Sequence, residues 1–205
     1  MTSSVLERIG QLITKKEKPT PVTRLVERCR EGDAAAFREL FERHVHGVHR
    51  HLSLLMGPGE DVDDLVQLVF LNVFQSICRF QGKSAFSTWL FRITLNVARQ
   101  EIRSRGRQRR LNAAVAEVQQ AAPKTLHLNP EVALSTEEEI YRTLDVVSLK
   151  KRETLILYLY EGYSLEEIAN LLNSSVSTIG SRLQSGRKEI LEHLAAQSEK
   201  KEGTS

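Results

Sequence analysis

Between Asp61 and Arg110 two helical patterns stand back to back, and they restrict the chain to a helical architecture. Val62, Leu65, Val66, Val69, Phe70, Val73, Phe74 and Ile77 recur in steps of three and one, which places all eight on one stripe of a helix. Such a stripe must pack into a core. The opposite face carries Asp61, Asp64, Asn72 and Gln75, but also Leu68 and Leu71. Leucines among carboxylates on an outward face predict a surface that meets a partner. The second half, 79–110, holds nine Lys and Arg against one acid, Glu101, and interleaves Phe80, Phe86, Trp89 and Phe91. Cations neutralise phosphate and flat rings stack on unpaired bases, so this half predicts a nucleic-acid face.

Charge is what localises that face. The segment 79–110 carries +8, while the whole chain carries only +3, so the remainder sums to −5. Such asymmetry predicts a confined polyanion-binding patch rather than general adhesion. The 205 residues allow one large domain or two small ones. Cys29 and Cys78 form no CxxC pair and sit on or beside apolar stripes, so they read as buried free thiols in a reducing cytosol. No secretory signal pattern and no apolar run of membrane-spanning length is visible, which predicts a soluble cytoplasmic protein without a membrane segment.

Residues 1–20 read as an N-terminal extension, with Leu6, Ile9, Leu12 and Ile13 followed by a Lys- and Pro-containing break; a disordered arm and a short docking helix both fit it. Residues 22–56 predict two helices, broken at Gly32 and restarted by Asp33 as N-cap. The second contains His44, His46, His49 and His51. His44 and His51 share one stripe and His46 and His49 another, with no HExxH and no intervening thiolate or carboxylate. They read as a solvated face, not a metal site. Beyond the central stretch, 112–135 changes composition, lacks helical order past Gln120 and contains Pro123 and Pro130, the pattern of a flexible linker. About 24 residues reach on the order of 80 Å when extended.

Residues 136–195 predict a second compact helical domain, and 196–205 a frayed polar tail. Ser164 and Glu167 fit a capping box opening a short helix with Ile168, Ala169 and Leu172 inward. Asn173 to Val176 makes a turn with a buried Val, and Ser177 is placed to cap the next helix. There Val176, Ile179, Leu183, Gly186, Ile190 and Leu194 line one face, and Thr178, Ser181, Arg182, Ser185 and Lys188 the other. A short capped helix, a tight turn and a helix with a polar, basic outer face make a helix-turn-helix, whose outer side chains reach phosphates and base edges. The fold expected is therefore all-α, with two small helical domains, 21–111 and 136–195, joined by a linker. No GxSxG, GxxxxGK[ST] or GxGxxG pattern occurs. Asp61, Asp63 and Asp64 read as a helix start rather than a metal-dependent active site.

Several of these segments, taken in order, are similar to one family. Asp63 to Phe70, Arg79 to Gly82, and Phe86 to Ile93 with Asn96 resemble the core-binding and promoter-melting segments of extracytoplasmic-function (ECF) sigma factors. Arg152 with Glu153, Tyr163 to Ala169, and Ser177 to Leu183 resemble that family's second domain. The resemblance implies a non-enzymatic alternative sigma factor with no catalytic residue, cofactor or metal. It implies that Asp61, Asp64, Gln67, Leu68, Leu71 and Asn72 dock on core RNA polymerase. Arg79, Phe80, Lys83, Ser84, Phe86, Arg92, Asn96, Arg99 and Arg103 would meet the melted −10 element. Ser177, Thr178, Ser181, Arg182, Ser185, Arg187 and Lys188 would read the −35 element. The implied partners are core RNA polymerase, promoter DNA and an anti-sigma factor. Trp89 is expected in the core rather than against a base.

Two positions depart from the family pattern: Leu68 stands where an acid is usual, and Gly180 where lysine is usual. They keep alternatives open. A helix-turn-helix regulator acting without polymerase accounts for 164–190 but not for Leu68 and Leu71. A sigma-like decoy for an anti-sigma factor draws on both departures. A metal-responsive protein draws on the histidine cluster.

Overall fold

A computed structural model describes residues 22–119 and 136–202, apart from 58 and 60; the N-terminal extension and most of the expected linker lie outside the described residues. Eight helices follow in order among them: α1 (Val22–Arg30), α2 (Ala34–Met56), α3 (Asp61–Ser76), α4 (Phe86–Gln119), α5 (Thr136–Asp145), α6 (Leu149–Leu155), α7 (Leu165–Leu172) and α8 (Val176–Glu202). A 3₁₀ turn, Ile77–Arg79, follows α3, and a π-helical turn, Ile156–Tyr160, extends α6.

The local signals account for most boundaries. The Asp33 carboxylate accepts from the amides of Ala35 and Ala36 at 2.9 and 3.1 Å, opening α2. Gly57 ends α2 at φ +92°, a conformation that favours glycine, and a Cβ there would meet the Tyr141 ring at 3.0 Å. α4 continues to Gln119, past the expected domain boundary at 111 but within the helical order the sequence shows as far as Gln120; α8 runs further than expected, to Glu202, so the tail from 196 is helical through most of its length. Good helix formers fill both extensions, with neither Gly nor Pro until after each end.

The first helical region, α1 to α4, packs α2 between α1, α3 and α4. Val62, Leu65, Val66, Val69, Phe70, Val73 and Ile77 are buried as the periodicity requires. Phe74 is the exception at 59 % exposed; it lies at the edge of the stripe, where its ring meets Phe37 edge-on at 4.9 Å and leaves one face open. Cys29 is buried but Cys78 is exposed, correcting the expectation of two interior thiols; Cys78 falls in the 3₁₀ turn, off the stripe of α3.

The second region, α5 to α8, packs α8 against α6 and α7. Gly186 permits the close α6–α8 approach: a Cβ there would meet Leu155 Cδ1 at 3.1 Å and Lys151 Cβ at 3.3 Å. The two regions are in contact. α2 packs along α5 and touches α6, and one continuous cluster of buried apolar side chains runs from Leu25 to Ile190. Among the described residues no helix is long and apolar enough to cross a membrane.

Candidate nucleic-acid interface and docking face

The outward leucines of α3 stand where the sequence places them. Leu68 is 41 % and Leu71 52 % exposed, flanked by exposed Asp61, Asp64 and Gln67 and half-buried Asn72. Exposed Phe74 continues this apolar surface toward α2, where Phe41 packs edge-on against Phe70 at 4.6 Å. The apolar periodicity assigns Phe41 and Phe74 to the core, and each is partly open because it lies on the border of an apolar arc. Asp61 is tied to α4 by Arg105 at 3.1 Å, and Asp63 lies 3.6 Å from His49.

The loop between the 3₁₀ turn and α4 is exposed from Gln81 to Ala85, including Lys83 and Ser84, and turns at Gly82 with φ +67°. Beneath it sits an aromatic platform. Phe80 and Phe86 are interior, 8 % and 5 % exposed, and with Trp89 they form a triad with centroids 5.2 to 5.7 Å apart. Two rings named from the sequence as base-facing are thus packed inward, because they anchor the ends of a loop that has no backbone ladder to hold it. Arg79 beside them is exposed.

On α4, steps of four and three align Thr88, Arg92, Asn96, Arg99 and Arg103 on one stripe. This collects three of the nine cations of 79–110, but the stripe is not uniformly free. Asn96 and Arg103 are exposed. Arg92 donates to the carbonyl of Asn170 at 2.9 Å. Arg99 makes two 2.7 Å bonds to the carboxylate of Glu153, which is 1 % exposed. Those bonds raise the Arg99 pKa further, against the opposing effect of partial burial.

The helix-turn-helix is α7, a turn and α8. The capping box closes in both directions: Ser164 Oγ accepts from the Glu167 amide at 3.2 Å, and the Ser164 amide donates to Glu167 Oε2 at 2.8 Å. Asn173 ends α7 in the left-handed region at φ 49°. Two details differ from expectation. Ser175, not Ser177, caps α8, its Oγ accepting from the Thr178 amide at 3.1 Å. Val176 is 41 % exposed rather than buried, because helix α8 begins two residues earlier than a cap at Ser177 would place it. Ser177, Ser181 and Lys188 are exposed, and Thr178, Arg182 and Ser185 half-buried, along the outer side. Arg187 and Lys188 border the groove lined by Leu165, Leu183 and Leu191.

The histidines are not a uniformly solvated face. His44 packs against Phe86 at 5.2 Å, and His51 lies against Phe91 and bonds Glu161 at 2.6 Å. Burial alone would push the Glu161 carboxyl up, but the hydrogen bond from His51 and the charges of His51 and Arg50 outweigh it and hold its pKa below the usual range. Among the described residues no cluster of three His, Cys, Asp or Glu side chains is arranged to hold a metal.

An outward apolar face, a cationic stripe and a helix-turn-helix follow one another in this order, and the comparisons with known proteins match it. Residues 40–108 match Sigma-70 region 2, and 137–190 match Sigma-70, region 4. The ECF RNA polymerase sigma-E factor of Escherichia coli strain K12 is 34 % identical over 173 residues, covering 81 % of this chain and 90 % of that protein. The chain belongs to the ECF sigma factors. As a sigma factor it is a non-catalytic RNA polymerase subunit and directs promoter-specific transcription initiation. Among solved structures this sigma factor resembles CnrH in complex with the cytosolic domain of CnrY, with TM-score 0.62 and 27 % identity over 84 % of this chain and 96 % of that one. It also shares the fold of the sigma factor RpoE in complex with the anti-sigma factor NepR from Bartonella quintana, with TM-score 0.60 and 23 % identity over 78 % and 96 %.

Proposed function

We propose that this sigma factor divides its work among three surfaces. On α3, Asp61, Asp64, Gln67, Leu68, Leu71 and Asn72, extended by Phe74, dock on core RNA polymerase. The loop bearing Arg79, Lys83 and Ser84, with Arg92, Asn96, Arg99 and Arg103 on α4, holds the melted −10 strand. Phe80, Phe86 and Trp89 stiffen that loop from beneath. The outer side of α8, with Ser177, Thr178, Ser181, Arg182, Ser185 and Lys188, reads the −35 element in the major groove, and Arg187 contacts the flanking backbone. Residues 21–111 and 136–195 are the two functional units, joined through 112–135.

The exposed leucines beside the cationic stripe carry this reading. Neighbouring leucines 41 % and 52 % exposed among carboxylates, continued by Phe74, fit a docking face better than a surface that only binds DNA. Affinity for each promoter element alone need not be high, because attachment to polymerase raises the effective concentration of both DNA-binding surfaces. Part of the binding free energy then goes into unpairing bases, which the loop and the α4 cations stabilise as a single strand.

The relatives solved with CnrY and with NepR support a protein inhibitor of the anti-sigma class, acting in the cytoplasm where polymerase resides. Run-off transcription tests the whole reading. Purified chain is added to sigma-free core polymerase on genomic fragments, and the 5′ ends are mapped. Discrete new starts sharing two upstream boxes are expected. Stable core binding without starts would favour the decoy, and neither binding nor starts would favour a regulator that works without polymerase.

A further inference from the structure

The cationic stripe of α4 does not stop at Arg103. Steps of four and three lead on to Arg107 and Arg110, with Arg109 beside them, and no acid occurs between Glu101 and Glu117. Arg105 is already paired, with Glu101 at 2.8 Å and with Asp61 of α3 at 3.1 Å. Arg103, Arg107, Arg109 and Arg110 are exposed and have no acidic partner among the described residues. Other cations on the surface of this chain are matched by an acid one turn away, as in Arg43–Glu39, Arg142–Glu138 and Lys188–Glu192. Here another cation stands one turn away. Arg99–Arg103, Arg103–Arg107 and Arg107–Arg110 are like-charge neighbours, which destabilise a helix. The helix dipole does not account for them: its effect is confined to the last turn, and α4 ends at Gln119, well beyond Arg110. Gly106 lies amid these side chains, three or four positions from Arg103, Arg109 and Arg110. Nothing comes within 4 Å of a Cβ there, so packing does not require a glycine, although one costs helix stability. A bare Cα lets a ligand approach the helix closely.

We infer that this far half of α4 is a second DNA site, in which Arg107, Arg109 and Arg110 hold the phosphate backbone of intact duplex beside the melted −10 stretch. The ligand is a polyanion, because an external array of negative charge relieves the successive like-charge contacts. It is duplex, because 92–119 contains no Phe, Tyr, Trp or His, so an unpaired base finds no ring to stack on. The aromatic side chains of this DNA face all lie at or before Phe91. Chain order gives the side. α4 leads from the strand-holding loop towards the segment that connects to the helix-turn-helix, so its far end meets the duplex between the −10 and −35 elements. From Arg103 to Arg110 the helix rises about 10 Å. A duplex presents one negative charge per about 1.7 Å of its axis, roughly six over that length, enough for each guanidinium to find a phosphate. Such contacts carry no sequence information; they fix the register and orientation of the protein on the duplex.

This inference rests on the proposed −10 role of the loop and the first half of α4, and its test separates the two. Full-length chains carrying Arg182→Ala and Lys188→Ala, so that α8 does not supply the duplex signal, are compared with and without Arg107→Ala and Arg110→Ala. Fluorescence anisotropy is recorded over a salt series with a labelled random-sequence duplex of about 20 base pairs and with its single strand alone. Loss of both arginines is expected to weaken duplex binding at least about tenfold at about 0.1 M salt and to flatten the slope of log affinity against log salt by about 1.8. Single-strand affinity should fall less than about twofold. Equal losses on both probes would overturn the duplex assignment and make these arginines part of the −10 strand track. Loss on neither probe would overturn the site. Arg107→Lys with Arg110→Lys keeps both charges and must keep the slope. Because the alanines also relieve like-charge contacts, the thermal midpoint should hold or rise; a lower midpoint would mean that the arginines serve the fold and would overturn the site. Lys83→Ala, in the loop, reports on the −10 reading through the single-strand probe alone. If it leaves that binding unchanged, the loop assignment fails while the duplex comparison stands.

Discussion

Arg152 Nη1 donates to the Leu55 carbonyl at 2.8 Å, so one buried guanidinium caps the C-terminal end of a helix 97 residues earlier in the chain. The last carbonyls of α2 have no intrahelical donor, and a cation there also complements the helix dipole. The same guanidinium donates to the Leu144 carbonyl at 3.1 Å and to Asp145 at 2.5 Å, and lies 5.2 Å from the centroid of Tyr141. It joins the two regions where Gly57 meets Tyr141. Replacing Arg152 with Ala strands two buried carbonyls and should lower stability by about 3 kcal/mol in urea unfolding. Arg152→Lys should recover less than half of that, because an ammonium cannot reproduce a planar fork.

Leu71→Glu should separate docking from folding. The side chain is more than half exposed, so stability should change by no more than about 0.5 kcal/mol. Affinity for core polymerase should fall at least about tenfold, the loss expected when a buried apolar contact of roughly 1.4 kcal/mol or more is replaced by a charge. Unchanged affinity in a polymerase pull-down titration would remove α3 from the docking face.

Two glycines of α8 should respond oppositely to a side chain. Nothing lies within 4 Å of a Cβ at Gly180, so Gly180→Ala should stabilise by roughly 0.5–1 kcal/mol through helix propensity. Gly186→Val would drive methyl groups into Leu155 and Lys151 and should destabilise by about 1–3 kcal/mol. Thermal melts of the two variants should move in opposite directions.

Gly180→Lys adds a cation where there is room for it. Duplex −35 DNA should be bound more tightly, with the slope of log affinity against log salt steepened by up to about one phosphate contact. An unchanged slope would show that the new ammonium does not reach the backbone.

Glu161 should make the packing of the two regions acid-sensitive, because its carboxylate bonds His51 of the first region. Its pKa in the folded chain is held below the ordinary 4.5, so its contribution is fully present above that value and is lost as pH falls through the folded pKa. Scattering recorded from pH 6 downward should show expansion only on the acid side of about 4.5. In Glu161→Gln that dependence should be weaker, and the chain should be more expanded at pH 6.

Much of the architecture was legible because it is local. The stripe of α3, the Asp33 cap, the reciprocal Ser164–Glu167 box and the turn at Asn173 each depend on residues a few positions apart, whose spacing the sequence displays directly. Errors arose at borders. Phe74 lies on the edge of its arc, Val176 belongs to the helix and not to the turn, and α8 runs past its last apolar residue where propensity alone decides. Phe80 and Phe86 looked available to bases because an aromatic ring near a cation reads identically whether it faces solvent or the core.

Local sequence alone determined which segments are helices, which faces are apolar, where the positive charge concentrates and that a helix-turn-helix follows, because hydrogen bonds within a helix and side-chain periodicity are short-range. Only the tertiary structure decided that Arg99 meets Glu153, that His51 meets Glu161 and that Arg152 caps α2. Those partners lie 54, 110 and 97 residues apart, and a charge or a carbonyl carries no mark of which distant group will satisfy it. The pairing follows from how two helical regions bury their remaining apolar surface against each other, since that packing is what fixes which polar groups must find partners away from water.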